Sequence, residues 1–142
     1  MSYRFDLAYI QAALPDLLQG LGMTIRVSLL SIGLSALVGI AGAIVRSLRV
    51  PVLSQLAAFY VHFIRNTPLL VQIFFIFYGL PSIGIRLSLF WSGVLALTIW
   101  GGAYNIENVR GGFLAIAKSL REAAFSLGLR RMQYMILVAL PL

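Results

Sequence analysis

From Val27 to Val45 the chain reads VSLLSIGLSALVGIAGAIV, nineteen residues with no charge among them. Wound into an α-helix, that run rises about 28 Å, close to the ~30 Å of a bilayer's hydrocarbon layer. A helix on a soluble domain buries one apolar stripe and wets the opposite face, and this run has no face to wet. The stretch 24–45 is therefore predicted to cross a membrane. Composition agrees. Charged residues make up 11% of the chain and hydrophobic ones 61%, whereas a soluble domain carries roughly 25% charged residues. Ser31, Ser35, Gly39 and Ala43 recur every four residues along the run. Such a stripe lets a second helix come close. Packing within the same subunit is the plainer reading of it, and lining of a pathway the sharper one.

Two further spans are predicted. The first, 52–80, starts just after Pro51, a residue suited to a first helical turn, and is interrupted by Arg65 and by Asn66-Thr67-Pro68. Pro68 removes a backbone donor and marks a break or kink there. Arg65 is costly at membrane depth unless it snorkels to the interface or faces a polar interior. The second, 87–106, contains the uncharged LSLFWSGVLALTIWGGAYNI, with Trp91 and Tyr104 near its ends as interfacial anchors. After the charged stretch 107–131, an apolar run at 132–142 has only eleven residues, too few to cross, and reads as the start of a fourth span.

Loop charge orients these spans. Arg46 and Arg49 lie between the first two, and Arg110, Lys118, Arg121, Arg130 and Arg131 follow the third. The opposite side holds Arg4, Arg26 and Arg86 with Asp6 and Asp16. The positive-inside bias predicts an outside N-terminus and a cytoplasmic 107–131. No short apolar run near the N-terminus ends in a small-residue cleavage site, so a cleaved signal peptide is not expected. The net charge of +7 reflects these loops and forms no basic stripe with exposed aromatics, which argues against nucleic acid as a partner.

Chemistry-bearing patterns are few. The chain has no cysteine and a single histidine, which removes disulfides and thiolate or multi-histidine metal sites. No Gly-rich loop ending in Lys-Ser/Thr, paired carboxylates or Ser/His/Asp set is present, so neither nucleotide binding nor catalysis is expected, and no cofactor is called for. His62, Gln72, Asn105 and Glu107 are the polar groups in or near spans. Interfacial placement suits His62 and Glu107, while Gln72 and Asn105 either bond between helices or touch a passing solute. In the cytoplasmic stretch, Ser119-Leu120-Arg121-Glu122 reads as a capping box opening a two-turn helix. Gly128 supplies the left-handed residue that ends it, and Ala123 and Ala124 give it a slim flank able to enter a groove on another protein.

These residues resemble a known family. Glu122-Ala123-Ala124, three residues, Gly128, nine residues and Val138-Ala139-Leu140-Pro141 resemble the cytoplasmic signature of ABC importer permeases, with Val138 standing where that signature has Ile. Arg65-Asn66-Thr67-Pro68-Leu69-Leu70-Val71-Gln72, Leu17-Leu18-Gln19-Gly20 leading to Thr24, and Ala103-Tyr104 with Glu107 and Arg110-Gly111 are similar to the polar amino-acid branch. The resemblance implies an all-α membrane protein, a type I ABC importer permease-like helical bundle with three complete transmembrane helices plus the start of a fourth. It implies a bacterial inner-membrane subunit that translocates polar amino acids delivered by an extracytoplasmic binding protein. Its partners would be an ABC ATPase subunit, which would hydrolyse the ATP, and a second permease subunit, like or related.

Under that resemblance Ser119, Glu122, Ala123, Ala124 and Gly128 would couple to the ATPase. Gln72 and Asn105 would be candidates for the pathway, and Arg65, Pro68 and Pro141 would be structural or topological. The chain departs from the family at Ser119-Leu120, where Gly-Gln is usual, and at Asn108, where an apolar residue is common. Family members carry two more spans after this loop, so 1–142 is expected to be a single permease domain that is incomplete, a fragment or a truncated reading frame. Two other readings stay open: a membrane anchor that recruits a cytoplasmic partner through the same loop, and a secondary amino-acid transporter built on the break at Asn66–Pro68.

Overall fold

The computed structural model describes residues 7–142; Arg4 and Asp6, used above to orient the chain, lie outside the described residues. Those residues form helices and connecting turns, with no strand among them. Helix α1, Leu7–Ser47, contains 41 residues, about 60 Å of rise and twice a bilayer's apolar depth. The predicted span 24–45 is its C-terminal half. Helix α2, Leu53–Arg65, stops at Asn66. Helix α3 begins at Leu69–Phe74 and continues through a π-helical turn, Phe75–Gly79, and a 3-10 turn, Leu80–Ile83. The stretch read as one span over 52–80 is thus two helices, and they meet at 104°. The cause is local. A residue before proline is pushed out of the helical region, and Pro68 itself sits at φ −56°, ψ 136°.

Ser88 opens helix α4, Leu89–Ala115, its hydroxyl accepting the Trp91 N–H at 3.4 Å. The helix does not stop where the charges begin. It carries Glu107 and Arg110 on one face, three residues apart, where they pair, so the first third of the stretch assigned to a loop is helical. Helix α5, Lys118–Ser126, and helix α6, Arg131–Tyr134, follow, and a π-helical turn, Met135–Ala139, begins the last apolar run. By length and apolarity, α1 and α4 can each cross a membrane, and the bent pair α2 and α3 has the apolarity of a third span, broken or re-entrant.

The bundle is organised on the seam between α1 and α4. All four small residues of the stripe, Ser31, Ser35, Gly39 and Ala43, are buried, and they face α4. Lipid is as apolar as leucine, so association inside a bilayer rests on close packing and interhelical hydrogen bonds rather than on apolar burial. Both are present. A methyl group added at Gly39 would meet the Asn105 backbone at 3.1 Å and overlap its Cβ, and one at Gly42 would overlap Ile106. Asn105 Nδ2 donates to Ser35 Oγ at 3.2 Å, and Ser31 Oγ donates to the Val94 carbonyl at 3.4 Å. Helix α2 joins the seam through the Tyr60 hydroxyl, which donates to the Ile99 carbonyl. Large apolar side chains such as Leu37, Phe59 and Leu89 point outward, as a lipid-facing surface requires.

The seam predicts a contrast between two glycines on one helix. Gly39→Val forces overlap with Asn105 and should destabilise the fold by about 1–3 kcal/mol, the usual cost of overpacking. Gly33 has nothing within 4 Å of an added methyl group, so Gly33→Ala should leave stability unchanged or slightly raised. Thermal unfolding of both variants in nanodiscs checks this; equal melting temperatures would remove Gly39 from the seam.

Candidate functional site

Two features stand out from the apolar bundle, a polar cleft among α1, α2 and α4 and the exposed helix α5. The cleft has a volume of about 650 Å³. Arg46 from the last turn of α1, His62, Arg65 and Asn66 from α2, and Tyr104 and Glu107 from α4 line it. The side chains reach it because α2 presents Ala58, Val61, His62 and Arg65 at helical spacing on one face, with Val61 at its buried edge and Ile64 buried beside it.

Glu107 is the electrostatic centre of the cleft. Arg46 Nη1 bonds its Oε1, and Arg110 donates to its Oε2 from Nε at 3.1 Å and Nη2 at 2.8 Å. Both carboxylate oxygens are therefore engaged by guanidinium groups from two different helices. A half-buried carboxylate with charge-assisted bonds on each oxygen offsets the cost of its own desolvation. Arg65 stands apart. Its guanidinium carbon lies 5.0 Å above the Tyr104 ring, in cation–π geometry, and it has no carboxylate partner among the described residues.

The two polar residues singled out as pathway candidates do not line this cleft. Gln72 is buried, and its Nε2 donates to the Ile64 carbonyl at 3.0 Å and the Thr67 carbonyl at 2.9 Å, bridging the break between α2 and α3. Asn105 is held in the seam by Ser35. Of the polar cleft-lining residues, sequence reasoning did not place Arg46, Asn66 or Tyr104 in a site, nor Arg110, which holds Glu107 from outside the lining. The i,i+3 spacing of Glu107 and Arg110 was a readable signal for one pairing. Nothing in the sequence linked Arg46 to Glu107, 61 positions away.

Helix α5 corrects one expectation and refines another. Ser119 is not its cap. The helix starts at Lys118, with Ala117 in the capping position at φ −54°, ψ 135° and no side-chain cap bond. Inside the first turn Ser119 is in no position to cap, and Glu122 instead meets Lys118 Nζ at 3.3 Å on the exposed surface. At the other end Gly128 has φ +81°, its N–H bonds the Phe125 carbonyl at 2.9 Å, and the Leu129 N–H bonds the Ala124 carbonyl at 3.2 Å. That is a Schellman ending, with glycine at the left-handed position.

The two alanines do not share a flank, because successive helical residues point about 100° apart. Ala124 is buried with Tyr134, Met135 and Ala139, against Ile44, Leu48, Phe113 and Ile116 from the ends of α1 and α4. Val138 packs on the same cluster, and Pro141 is exposed beyond it. Ala123 faces outward, between Leu120 and a Leu127 that is 83% exposed.

Residues 35–142 match the family described as the binding-protein-dependent transport system inner membrane component. The chain is 37% identical over 140 residues to a probable amino-acid ABC transporter permease of Vibrio harveyi, across 96% of this chain and 63% of that protein. It is 42% identical over 134 residues to a probable glutamine ABC transporter permease of Bacillus subtilis, across 94% and 62% respectively. A glutamine transport system permease of Escherichia coli K12 is 34% identical over 141 residues, across 98% and 64%. A crystal structure of an amino acid ABC transporter with histidines superposes with a TM-score of 0.86 at 33% identity, across 97% of this chain and 64% of that one. The chain thus spans a little under two thirds of the length of these relatives.

The Gln72 bridge is open to test. Gln72→Leu leaves the Thr67 carbonyl without its side-chain donor and weakens the cover on Ile64, at about 1–3 kcal/mol for an unpaired buried polar group. We expect a lower melting temperature in nanodiscs and faster cysteine labelling at position 65. Gln72→Leu with wild-type stability and labelling would show that the break holds its angle without the carboxamide.

Proposed function

This chain belongs to the binding-protein-dependent transport system inner membrane component family, and we propose that the whole protein is the membrane-spanning subunit of an ATP-driven importer of polar amino acids. It is a multi-pass protein of the inner membrane. The permease names of the relatives, two of them glutamine permeases, support the substrate class. The observation that carries the mechanism is α5. It is a short helix seated on the bundle by buried Ala124 and by Phe125, whose ring lies 5.4 Å from that of Tyr134, with Leu120, Ala123 and Leu127 turned outward.

In this reading the outward face docks in a groove of an ABC ATPase subunit, and ATP is hydrolysed there rather than by this chain. ATP binding draws the ATPases together and moves α5. The Ala124 cluster passes that displacement to Ile44 and Leu48 on α1 and to Phe113 and Ile116 on α4, at the cytoplasmic mouth of the cleft. A second permease subunit completes the pathway, and a binding protein delivers the amino acid from the other side. The N-terminus lies outside and 107–131 inside, as the loop charges require.

Reconstitution of the full-length permease with its ATPase and binding protein tests this. ATP-dependent uptake of labelled glutamine is expected. Uptake that follows an ion gradient without ATP would make the protein a secondary transporter, and ATPase recruitment with no uptake would make it an anchor. Gly128→Val strains a left-handed position by about 1–2 kcal/mol; insertion should survive and ATP-coupled uptake should fall to background. Leu127→Asp should weaken ATPase binding by about tenfold or more, the scale of a buried apolar anchor at an interface. Wild-type coupling in both would take the docking role away from α5. A cysteine at position 118 should label only from the cytoplasm, and labelling from outside sealed cells would invert the topology.

A further inference from the structure

The charge arrangement of the cleft narrows what it can hold. Glu107 is its one acidic lining residue among the described residues, and Arg46 and Arg110 already occupy both of its oxygens. A cationic side chain entering the cleft would have to displace a guanidinium from that carboxylate, or stay unpaired in a field set by two lining arginines. Each alternative costs electrostatic energy in a site screened less than bulk water.

An anion meets the opposite situation. Arg65 lacks a carboxylate among the described residues, and its guanidinium carbon lies over the Tyr104 ring at 5.0 Å. Trp100 packs on Tyr104 in turn, with ring centroids 4.6 Å apart. A guanidinium that spends no N–H on a carboxylate still offers its donors, the set that pairs with an incoming carboxylate through two parallel bonds. Beside it, Asn66 spends its Nδ2 on the His62 carbonyl at 2.7 Å, which leaves Oδ1 to accept from an ammonium group.

We propose that this cleft binds the α-carboxylate of an amino acid at Arg65 and its α-ammonium at Asn66, and that its lining selects uncharged or acidic side chains over cationic ones. The proposal rests on the amino-acid importer reading above and adds selection by the permease itself, apart from any selection by a binding protein. It also changes the part given to Arg65, from a residue that merely tolerates membrane depth to one that holds the substrate.

The test is equilibrium binding of tritiated glutamine, glutamate and arginine to the purified full-length permease–ATPase complex without binding protein. Glutamine and glutamate should bind, and arginine should bind at least tenfold more weakly. Arg65→Met should weaken glutamine by about tenfold to a hundredfold, the range for one charge-assisted contact, with Arg65→Lys falling between. Circular dichroism and a monodisperse elution profile keep folding separate from binding. Arginine binding as tightly as glutamine overturns the selectivity. Unchanged glutamine affinity in a folded Arg65→Met complex overturns the carboxylate site. If none of the three binds the wild-type complex, while ATP-dependent uptake of glutamine persists, this proposal falls and the importer reading stands. If uptake is also absent, both fall.

Discussion

A helix broken inside a bilayer leaves carbonyl groups with no water to satisfy them, each costing several kcal/mol. The bend at Asn66–Pro68 exists because its own neighbourhood supplies the donors. Asn66 gives both its backbone N–H, at 3.2 Å, and its Nδ2, at 2.7 Å, to the His62 carbonyl. Thr67 Oγ1 takes the Phe63 carbonyl at 2.9 Å. Gln72 reaches back across the corner to Ile64 and Thr67. The carboxamide orientation follows from its partners, since only Nε2 can donate to carbonyls. With those bonds made, α2 ends at the corner with Arg65 beside Tyr104, and the geometry of the break gives the cleft a cation with no carboxylate partner among the described residues.

The α1–α4 seam supplies the second fixed reference. Its small residues bring the backbones close, and at its lower end the close approach places Arg46 against Glu107. Seam and ion cluster depend on each other. Without the close approach, the arginine on α1 would not reach a carboxylate on α4. Without the pair, each helix would carry a charge into a partly desolvated place unpaired, which is far costlier than the pair itself. The apolar cluster around Ala124 rests on the same two helix ends, so α5 is seated on the ends that the Arg46–Glu107 pair joins.

The spans were legible because a bilayer imposes length and apolarity directly on sequence. The break was legible from Asn66-Thr67-Pro68, and the left-handed turn from Gly128. The 104° angle was not, because proline marks where a helix stops and leaves the direction of the next helix to bonds made by Gln72. Ser119 misled, since a Ser-x-x-Glu pattern fits a cap one residue away from where the helix starts at Lys118. The charged end of α4 was read as loop because charge was equated with a helix end; Glu107 and Arg110, one turn apart, instead support each other on a continuing helix. Of the cleft, Arg65 was read as costly at depth and His62 and Glu107 as interfacial, but their meeting with Arg46 and Tyr104 depends on tertiary packing. Asn108 is exposed, and nothing in the structure explains its choice over an apolar residue.

Helix α2 shows what the surroundings of the cleft must be. Its surface divides into three faces. Val61 and Ile64 are buried against the bundle; Leu56, Phe59 and Phe63 are exposed and apolar, with the two phenylalanine rings stacked at 6.0 Å; and His62, Arg65 and Asn66 are exposed and polar. Lipid suits the second face and cannot suit the third, because a guanidinium against hydrocarbon is penalised by at least about 2.5 kcal/mol even on the most lenient scale. The polar face must therefore meet water or protein.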